Sequence, residues 1–383
     1  MLHRMEFDDM VYLDYSATTP VNDEVLDSYV KVTKRFIGNP NSLHRLGSDA
    51  LNLINDATEQ IKNILDAPNY DVIYTSGASE SNNLAIKGIA LKYQNRGKHI
   101  ITTNFEHSSI YGPLSYLQSL GFEVDIVNND ENGMIDINHL KKLMRDDTIL
   151  VTVASVNSEI GLLQPVNEIG KILKDYPKCY FHVDMTQSIG KIDLKFDNID
   201  LISCSSHKFY GMKGFGILFK RENISLEPLI HGGKSTTVYR SGTPALPLIA
   251  STSKALRLAY NDLSQKYNHV KSLNDYLKKE LCKYDKVVIN SNDNCIPHIL
   301  NVSILNIKPE TMLHALEEYE IYISTKSACS SNSSRSRAVY SLTHNEEVSE
   351  HSIRISLSYL TAMDDIKYFM DCFDKCYNNL QLR

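Results

Sequence analysis

The chain has 383 residues, 42% hydrophobic and 22% charged, a globular composition that excludes collagen-like, low-complexity and largely disordered readings. At roughly 100–200 residues per domain, the length predicts two domains with a cleft between them, needing neither disulfides nor metals to bury their cores. Forty Lys and Arg against 46 Asp and Glu leave a formal charge of −6. No global basic field draws such a chain onto nucleic acid or anionic lipid, so direct nucleic-acid binding is not expected.

The elements begin at about residue 70, where short β-rich runs alternate with helix-period segments. Strands are predicted at Asp71–Thr75, His99–Thr103, Glu123–Val127, Ile149–Val153, Tyr180–Val183, Leu201–Cys204 and Gly216–Phe219. Helices are predicted at Glu80–Tyr93, Ser108–Leu120, Ile137–Met144 and Val166–Lys174, the last opened by Pro165. That alternation implies a mostly parallel seven-stranded α/β sheet, with ligands at the strand ends. After Thr243-Pro244 the pattern changes. A long helical run from Leu246 to Tyr284 leads to strands Lys286–Ile289 and Leu300–Ile304, helix Glu310–Glu318, a Ser-rich stretch at Ser324–Ser336, strand Ile353–Leu357 and helix Met363–Asn379. This part reads as a smaller α+β domain.

The seven cysteines (Cys179, Cys204, Cys282, Cys295, Cys329, Cys372 and Cys376) are scattered and form no C-x-x-C pair, so no zinc or redox site is expected. Acidic residues in the opening stretch and the lack of an uninterrupted apolar run of about 18 residues argue against export and membrane spanning. A cytoplasmic location is the expectation.

Two constellations carry chemistry. Tyr74-Thr-Ser-Gly77-Ala-Ser79-Glu80 lies where a strand turns into a helix, and such a turn suits a phosphate, although Ser79 could equally serve only as an N-cap. The segment has neither a Walker nor a dinucleotide fingerprint. The second constellation is Phe181-His-Val-Asp184-Met-Thr-Gln187 followed by Ser203-Cys-Ser-Ser206-His207-Lys208. An Asp closing one strand and a Lys closing the next put a carboxylate and an amine at one sheet edge. That pair suits pyridoxal 5'-phosphate, whose aldehyde needs a lysine and whose pyridine nitrogen needs a carboxylate.

Ten motifs in order then carry a family resemblance. They are Tyr12-Leu-Asp-Tyr-Ser-Ala-Thr-Thr-Pro20, Gly38-Asn-Pro-Asn-Ser-Leu-His-Arg45, the Gly77 segment, Glu106-His107, Val156-Asn157-Ser-Glu-Ile-Gly161, His182-Val-Asp-Met-Thr-Gln187, Ser206-His-Lys208, Arg240-Ser-Gly-Thr243, Ser327-Ala-Cys329 and Ile353-Arg354. Across about residues 11 to 360 the chain resembles the pyridoxal-phosphate-dependent cysteine desulfurases of the NifS/IscS type, in the class V aminotransferase family.

The resemblance implies a fold-type I transferase, with a large cofactor-binding domain over residues 15–255 and a small α+β domain over 1–14 and 256–383. It makes Lys208 the lysine that holds the cofactor, Asp184 the partner of the pyridine nitrogen and Gln187 the neighbour of the phenolic oxygen. His107 would stack on the ring and shuttle a proton to the substrate thiol. Ala78, Ser79, Ser206 and His207 would hold the phosphate, with Thr243 reaching it from the other subunit of a homodimer. Asn157 and Arg354 would bind the substrate's α-carboxylate. Ser79, Ser158 and the segment His231–Arg240 depart from the pattern usual in the family.

Cys329 separates a desulfurase from an aminotransferase. Its polar, Ser-rich neighbours suggest an exposed loop, with Arg335 and Arg337 close enough in sequence to favour the thiolate. Cys204, in Leu201-Ile-Ser-Cys, is expected to be a buried small hydrophobe. The implied reaction converts L-cysteine to L-alanine and a persulfide on Cys329, for a sulfur-acceptor protein of iron–sulfur cluster assembly or tRNA thiolation. Two rivals share these residues: an aminotransferase or selenocysteine lyase that needs no thiol, and a non-catalytic sulfur-relay scaffold.

Overall fold

A computed structural model describes residues 10–193, 195–325 and 335–381. Cys329 and residues 326–334 of the loop expected around it lie outside the described residues.

In chain order, β1 (Val11–Tyr12), α1 (Asp23–Arg35) and α2 (Arg45–Ile64) precede β2 (Tyr70–Thr75), α3 (Ala78–Tyr93), β3 (His99–Thr102) and α4 (Ser108–Ser119). Next come β4 (Glu123–Ile126), α5 (Ile137–Leu143), β5 (Thr148–Ala154), α6 (Val166–Leu173), β6 (Tyr180–Asp184), β7 (Leu201–Ser205) and β8 (Gly216–Arg221). The rest comprises α7 (Leu246–Tyr260), α8 (Leu263–Leu281), β9 (Val287–Ile289), β10 (Ile299–Ile304), α9 (Pro309–Glu317) and β11 (Ile321–Tyr322). It closes with α10 (Arg337–Thr343), α11 (Glu346–Glu350), β12 (Ser352–Ser356) and α12 (Met363–Gln381).

Strands β2 to β8 form one sheet in the order β2-β8-β7-β6-β5-β3-β4. Every pairing is parallel except the two made by β8, so six strands run one way and β8 runs back between β2 and β7. Both faces are covered, which is why these strands are apolar on both sides. Ile73, Ile100 and Leu218 face Leu84, Ile89, Ile110 and Leu114 of α3 and α4. Their neighbours Val72, Ile101, Ile217 and Phe219 face the other way, into a core shared with Ile54, Ile61, Val166, Ile249 and Leu256 of α2, α6 and α7.

A separate core forms around the antiparallel sheet β12-β10-β9, where Leu300, Val302, Ile353 and Ile355 pack on Leu273, Leu277, Met312, Phe369 and Phe373. The start of the described chain belongs to it: β1 pairs with β11 in parallel, and Val11 and Leu13 are buried in this core.

The seven sheet strands fall within two residues of their predicted limits. The long helix expected over Leu246–Tyr284 is instead two helices. The chain leaves α7 at Asn261 and turns through Asp262, whose φ of 54° and ψ of 32° are left-handed. Aspartate is one of the few non-glycine residues that visits this region readily, so no Gly or Pro is needed to break the helix.

Candidate functional site

The C-terminal ends of the parallel strands open into a cleft of about 390 Å³, lined among others by Gly77, His107, Asp184, His207, Lys208 and Arg354. One wall is the turn from β2 into α3. Gly77 has φ 154° and ψ 176°, a conformation essentially reserved for glycine. Gly216 lies against it: a Cβ there would come within 2.5 Å of the Gly77 carbonyl carbon. Backbone therefore packs on backbone, and the α3 N-terminus is left with its N–H groups and the positive end of the helix dipole toward the cleft. Ser76, Ala78, Ser79 and Ser205 line the cleft with it. Glu80 is bound on both oxygens, by the Ser76 N–H at 2.7 Å and Arg240 Nε at 3.0 Å. Burial opposes its charge, but these bonds outweigh burial and hold its carboxyl below the usual range.

Asp184 ends β6 and Lys208 follows β7 in a short 3-10 turn; because β6 and β7 are parallel neighbours, both reach the same edge. Asp184 is 7% exposed and accepts one hydrogen bond on each oxygen, from Asn82 Nδ2 at 2.8 Å and the Thr186 N–H at 2.9 Å. Lys208 Nζ donates to the carbonyls of Ser16 and Ala17 at 2.5 and 2.6 Å. Gln187 spans from the Ser16 carbonyl, 2.9 Å from its Nε2, to Lys191 Nζ, 2.6 Å from its Oε1. Burial pushes the Lys191 amine down to about 7.

His107 is the N-cap of α4 and its Nδ1 accepts the Ser109 N–H. Burial lowers the pKa of His107 below the ordinary imidazole value, and burial lowers that of His207 to about 4. Both rings are therefore neutral near pH 7. The residue before His107 is Glu106, whose Oε1 takes the Thr103 hydroxyl and the Ala154 N–H while Oε2 is buried without a partner. Burial pushes this carboxyl up to about 8.

Arg354, on β12 of the small sheet, is 2% exposed and reaches into the same cleft. Nη1 donates to the Ser158 carbonyl, Nη2 to Asp14, and buried Nε has no partner. Asn157 is buried and spends its amide on the loop, donating to the Phe105 carbonyl and accepting from the N–H groups of Glu159 and Ile160. Two assigned positions stand differently. Ser206 points its hydroxyl at the carbonyls of Met212 and Phe215, anchoring the turn; of the two adjacent serines it is Ser205, the last residue of β7, that lines the cleft, its hydroxyl 3.3 Å from the same Phe215 carbonyl. Thr243 is exposed and is not among the residues lining this cleft. Cys204 is buried as expected, and burial raises its thiol pKa.

The sequence reading missed Ser205 because two adjacent serines cannot be told apart until the end of the strand is known. It missed Ser16, Ala17, Asn82 and Ser109 because their signal is a contact between distant segments. Glu80 was legible as the first acidic residue of α3, a position that favours negative charge.

This donor set fits pyridoxal phosphate. A helix N-terminus with hydroxyls stands where a phosphate would lie, a carboxylate and an amine face a ring-sized space, and a guanidinium with an unpartnered buried nitrogen waits beyond. Fold and cleft together define a pyridoxal-phosphate enzyme of fold type I. The profile of the class-V aminotransferases matches residues 11–369. A cysteine desulfurase IscS of Dictyoglomus turgidum is 38% identical over 376 residues, 97% of this chain and 95% of that protein. A solved NifS-like protein superposes with a TM-score of 0.90 at 32% identity, covering 98% of this chain and all of the other. A second solved structure, of SspA in complex with cysteine, has a TM-score of 0.80 at 33% identity over 92% of this chain and 100% of its own. The chain belongs to the class-V aminotransferase family, in the branch of its pyridoxal-phosphate-dependent cysteine desulfurases.

Proposed function

We propose that the protein converts L-cysteine to L-alanine and keeps the sulfur as a persulfide on Cys329. From there the sulfur passes to an acceptor protein of iron–sulfur cluster assembly or tRNA thiolation. The observation that carries this reading is one cleft shared by the Lys208 amine, the Asp184 carboxylate and the Arg354 guanidinium. An amino acid needs all three: an amine to take its Cα proton, a carboxylate to keep the cofactor's ring nitrogen protonated, and a cation for its carboxylate.

When bound, the cofactor supplies a sink for the electron pair left as the substrate's Cα–H bond breaks. Asp184, already fixed by Asn82 and Thr186, directs its remaining lone pairs at the ring nitrogen. The α3 N-terminus with Ala78, Ser79 and Ser205 receives the phosphate, and His207 borders it. Gln187 turns its amide to the phenolic oxygen. Arg354 binds the substrate carboxylate, with Asn157 holding the loop beside it. Lys208 Nζ takes the proton from Cα, and His107 faces the substrate sulfur with Nε2–H as a hydrogen-bond donor. The Cys329 thiolate attacks the substrate sulfur and the Cβ–S bond breaks, leaving its electron pair on the carbon fragment, which after protonation leaves as alanine.

A homodimer in the cytoplasm completes the reading. It is supported by the exposure of Thr243, which would serve a neighbouring cleft, and by exposed Ile37 and Leu43 between α1 and α2. No described helix is long and apolar enough to cross a membrane.

The test is a single turnover with L-cysteine followed by mass spectrometry. One extra sulfur is expected on Cys329, and Cys329→Ser should bind the substrate yet release no alanine. Sulfur on Cys282, the one exposed cysteine among the described residues, or alanine release at near-normal rate in the serine variant, would overturn the assignment.

A further inference from the structure

The hydrogen bonds around His107 have determined directions. The Ser109 N–H can only donate, and it points at His107 Nδ1 from 3.2 Å. Nδ1 therefore carries a lone pair, and the neutral ring has its proton on Nε2. The Ser109 hydroxyl lies 2.8 Å from the same Nδ1 and must donate its one hydrogen there. With that hydrogen used, Ser109 Oγ accepts from Asn82 Nδ2 at 2.9 Å, and the second Nδ2 hydrogen goes to Asp184 Oδ2 at 2.8 Å. Asn82 is fully buried and its Oδ1 has no partner. Flipping the amide would set that oxygen against the Asp184 carboxylate and break both bonds, so the order holds.

We infer that Asn82 and Ser109 form a positioning relay from Asp184 to His107, fixing the imidazole as the Nε2–H tautomer that serves the cleft. The chain runs across three elements: β6 supplies the carboxylate, α3 the amide, α4 the hydroxyl and the histidine cap. Nε2 bonds to no described residue, while Nδ1 already accepts two hydrogen bonds. A second proton on the ring would have to enter at Nδ1 against two donors. The ring therefore works as a neutral donor at Nε2 and resists becoming a cation. The charged groups around it divide: Asp184 of β6 and Glu159 of the loop after β5 favour the cation, Lys208 after β7 opposes it, and burial opposes it most. The relay rests on the proposed function only for the identity of the group His107 meets, a substrate thiol.

The test is a pH titration of the holoenzyme with isotope-labelled histidine, read by nitrogen NMR, with His107→Gln to assign the signal. Wild type should show Nδ1 unprotonated and Nε2 protonated. Ser109→Ala removes one of the two donors to Nδ1 and should raise the His107 pKa by about 0.7 unit, about fivefold in proton affinity. Ser109→Thr, which keeps the hydroxyl, should restore the wild-type titration. A purely structural role for Ser109 would lower thermal stability without moving that pKa. Identical titrations of wild type and Ser109→Ala, or a proton on Nδ1 in the wild type, would overturn the relay. Failure of the wild type to form alanine would overturn the proposed function while leaving the titration result standing.

Discussion

Arg354 donates from Nη2 to Asp14 Oδ1 at 2.8 Å, so the guanidinium that faces the cleft already holds a carboxylate from its own chain. Nη1 is bound to the Ser158 carbonyl, and buried Nε is left as an unsatisfied donor. An incoming carboxylate must compete for the fork with the Ser158 carbonyl on Nη1 and with Asp14 on Nη2. Substrate binding on this geometry is an exchange of one anion for another.

Arg354→Lys keeps the charge and loses the planar fork. The KM for L-cysteine is expected to rise about tenfold or more, equivalent to roughly 1.4 kcal/mol, with a smaller effect on kcat. Asp14→Asn keeps a hydrogen-bond acceptor and removes the rival charge, so its KM should fall. Steady-state alanine formation measures both, and an unchanged KM in Arg354→Lys would remove Arg354 from the carboxylate site.

Lys208 is the amine at the sheet edge opposite Asp184. Borohydride reduction of the purified holoenzyme should fix the cofactor onto Lys208, as shown by peptide mapping. Lys208→Ala should lose both the covalent link and turnover. The nearby buried Lys191 bonds to Gln187 instead, and finding the label there would exchange their roles.

Gly77→Ala forces a side chain into a backbone conformation that costs about 1–3 kcal/mol, although the new Cβ meets Ser205 Oγ only at an ordinary contact distance of 3.9 Å. Gly216→Ala is expected to be worse, because the new Cβ meets the backbone of Gly77 and the Cys204 carbonyl, neither of which can rotate away. Denaturation midpoints and cofactor affinity should both fall in that order. Equal, small effects would mean that the turn is not under this constraint.

Glu106 is held at a pKa of about 8 by burial, above its unfolded value. The folded state thus binds the extra proton, and the stabilisation is fully present below about pH 4.5 and is lost as pH rises through 8. Glu106→Gln mimics the protonated acid and should not show that loss. The difference in unfolding free energy between variant and wild type should grow in favour of the variant from pH 5 to pH 8, by at most about 1.4 kcal/mol per pH unit. Parallel pH profiles in chemical denaturation would show that Glu106 is charged in the folded protein.

The seven sheet strands were legible because each is a short apolar run between turn residues, and the edge pairing of Asp184 with Lys208 follows from two such strands being parallel neighbours. Helix α1 was legible but went unassigned: Asn22 caps it, Asp23 and Glu24 open it, and Lys34 and Arg35 close it. The break at Asp262 carried no signal, since the helical pattern runs across it. Nor could the sequence show that Asn157 is engaged by its own loop, or that the serine facing the cleft is Ser205. Those depend on a half-turn of backbone that residue types do not encode. The relay through Asn82 and Ser109 joins residues 27 apart on two helices, and only packing brings them together.

The carbonyls that hold Lys208 lie 192 and 191 residues earlier in the chain, and the carboxylate that holds Arg354 lies 340 residues earlier. Contacts of such separation close very long loops, so they gain nothing until most of the polypeptide is already ordered. During synthesis, a chain extended only as far as β8 would have its large sheet and the Asp184–Lys208 edge, but no guanidinium. Asp14 waits for β12, 340 residues later in the chain. Chemical competence therefore arrives at the end of folding, and a truncated or stalled product would keep much of its core without the means to hold an amino acid.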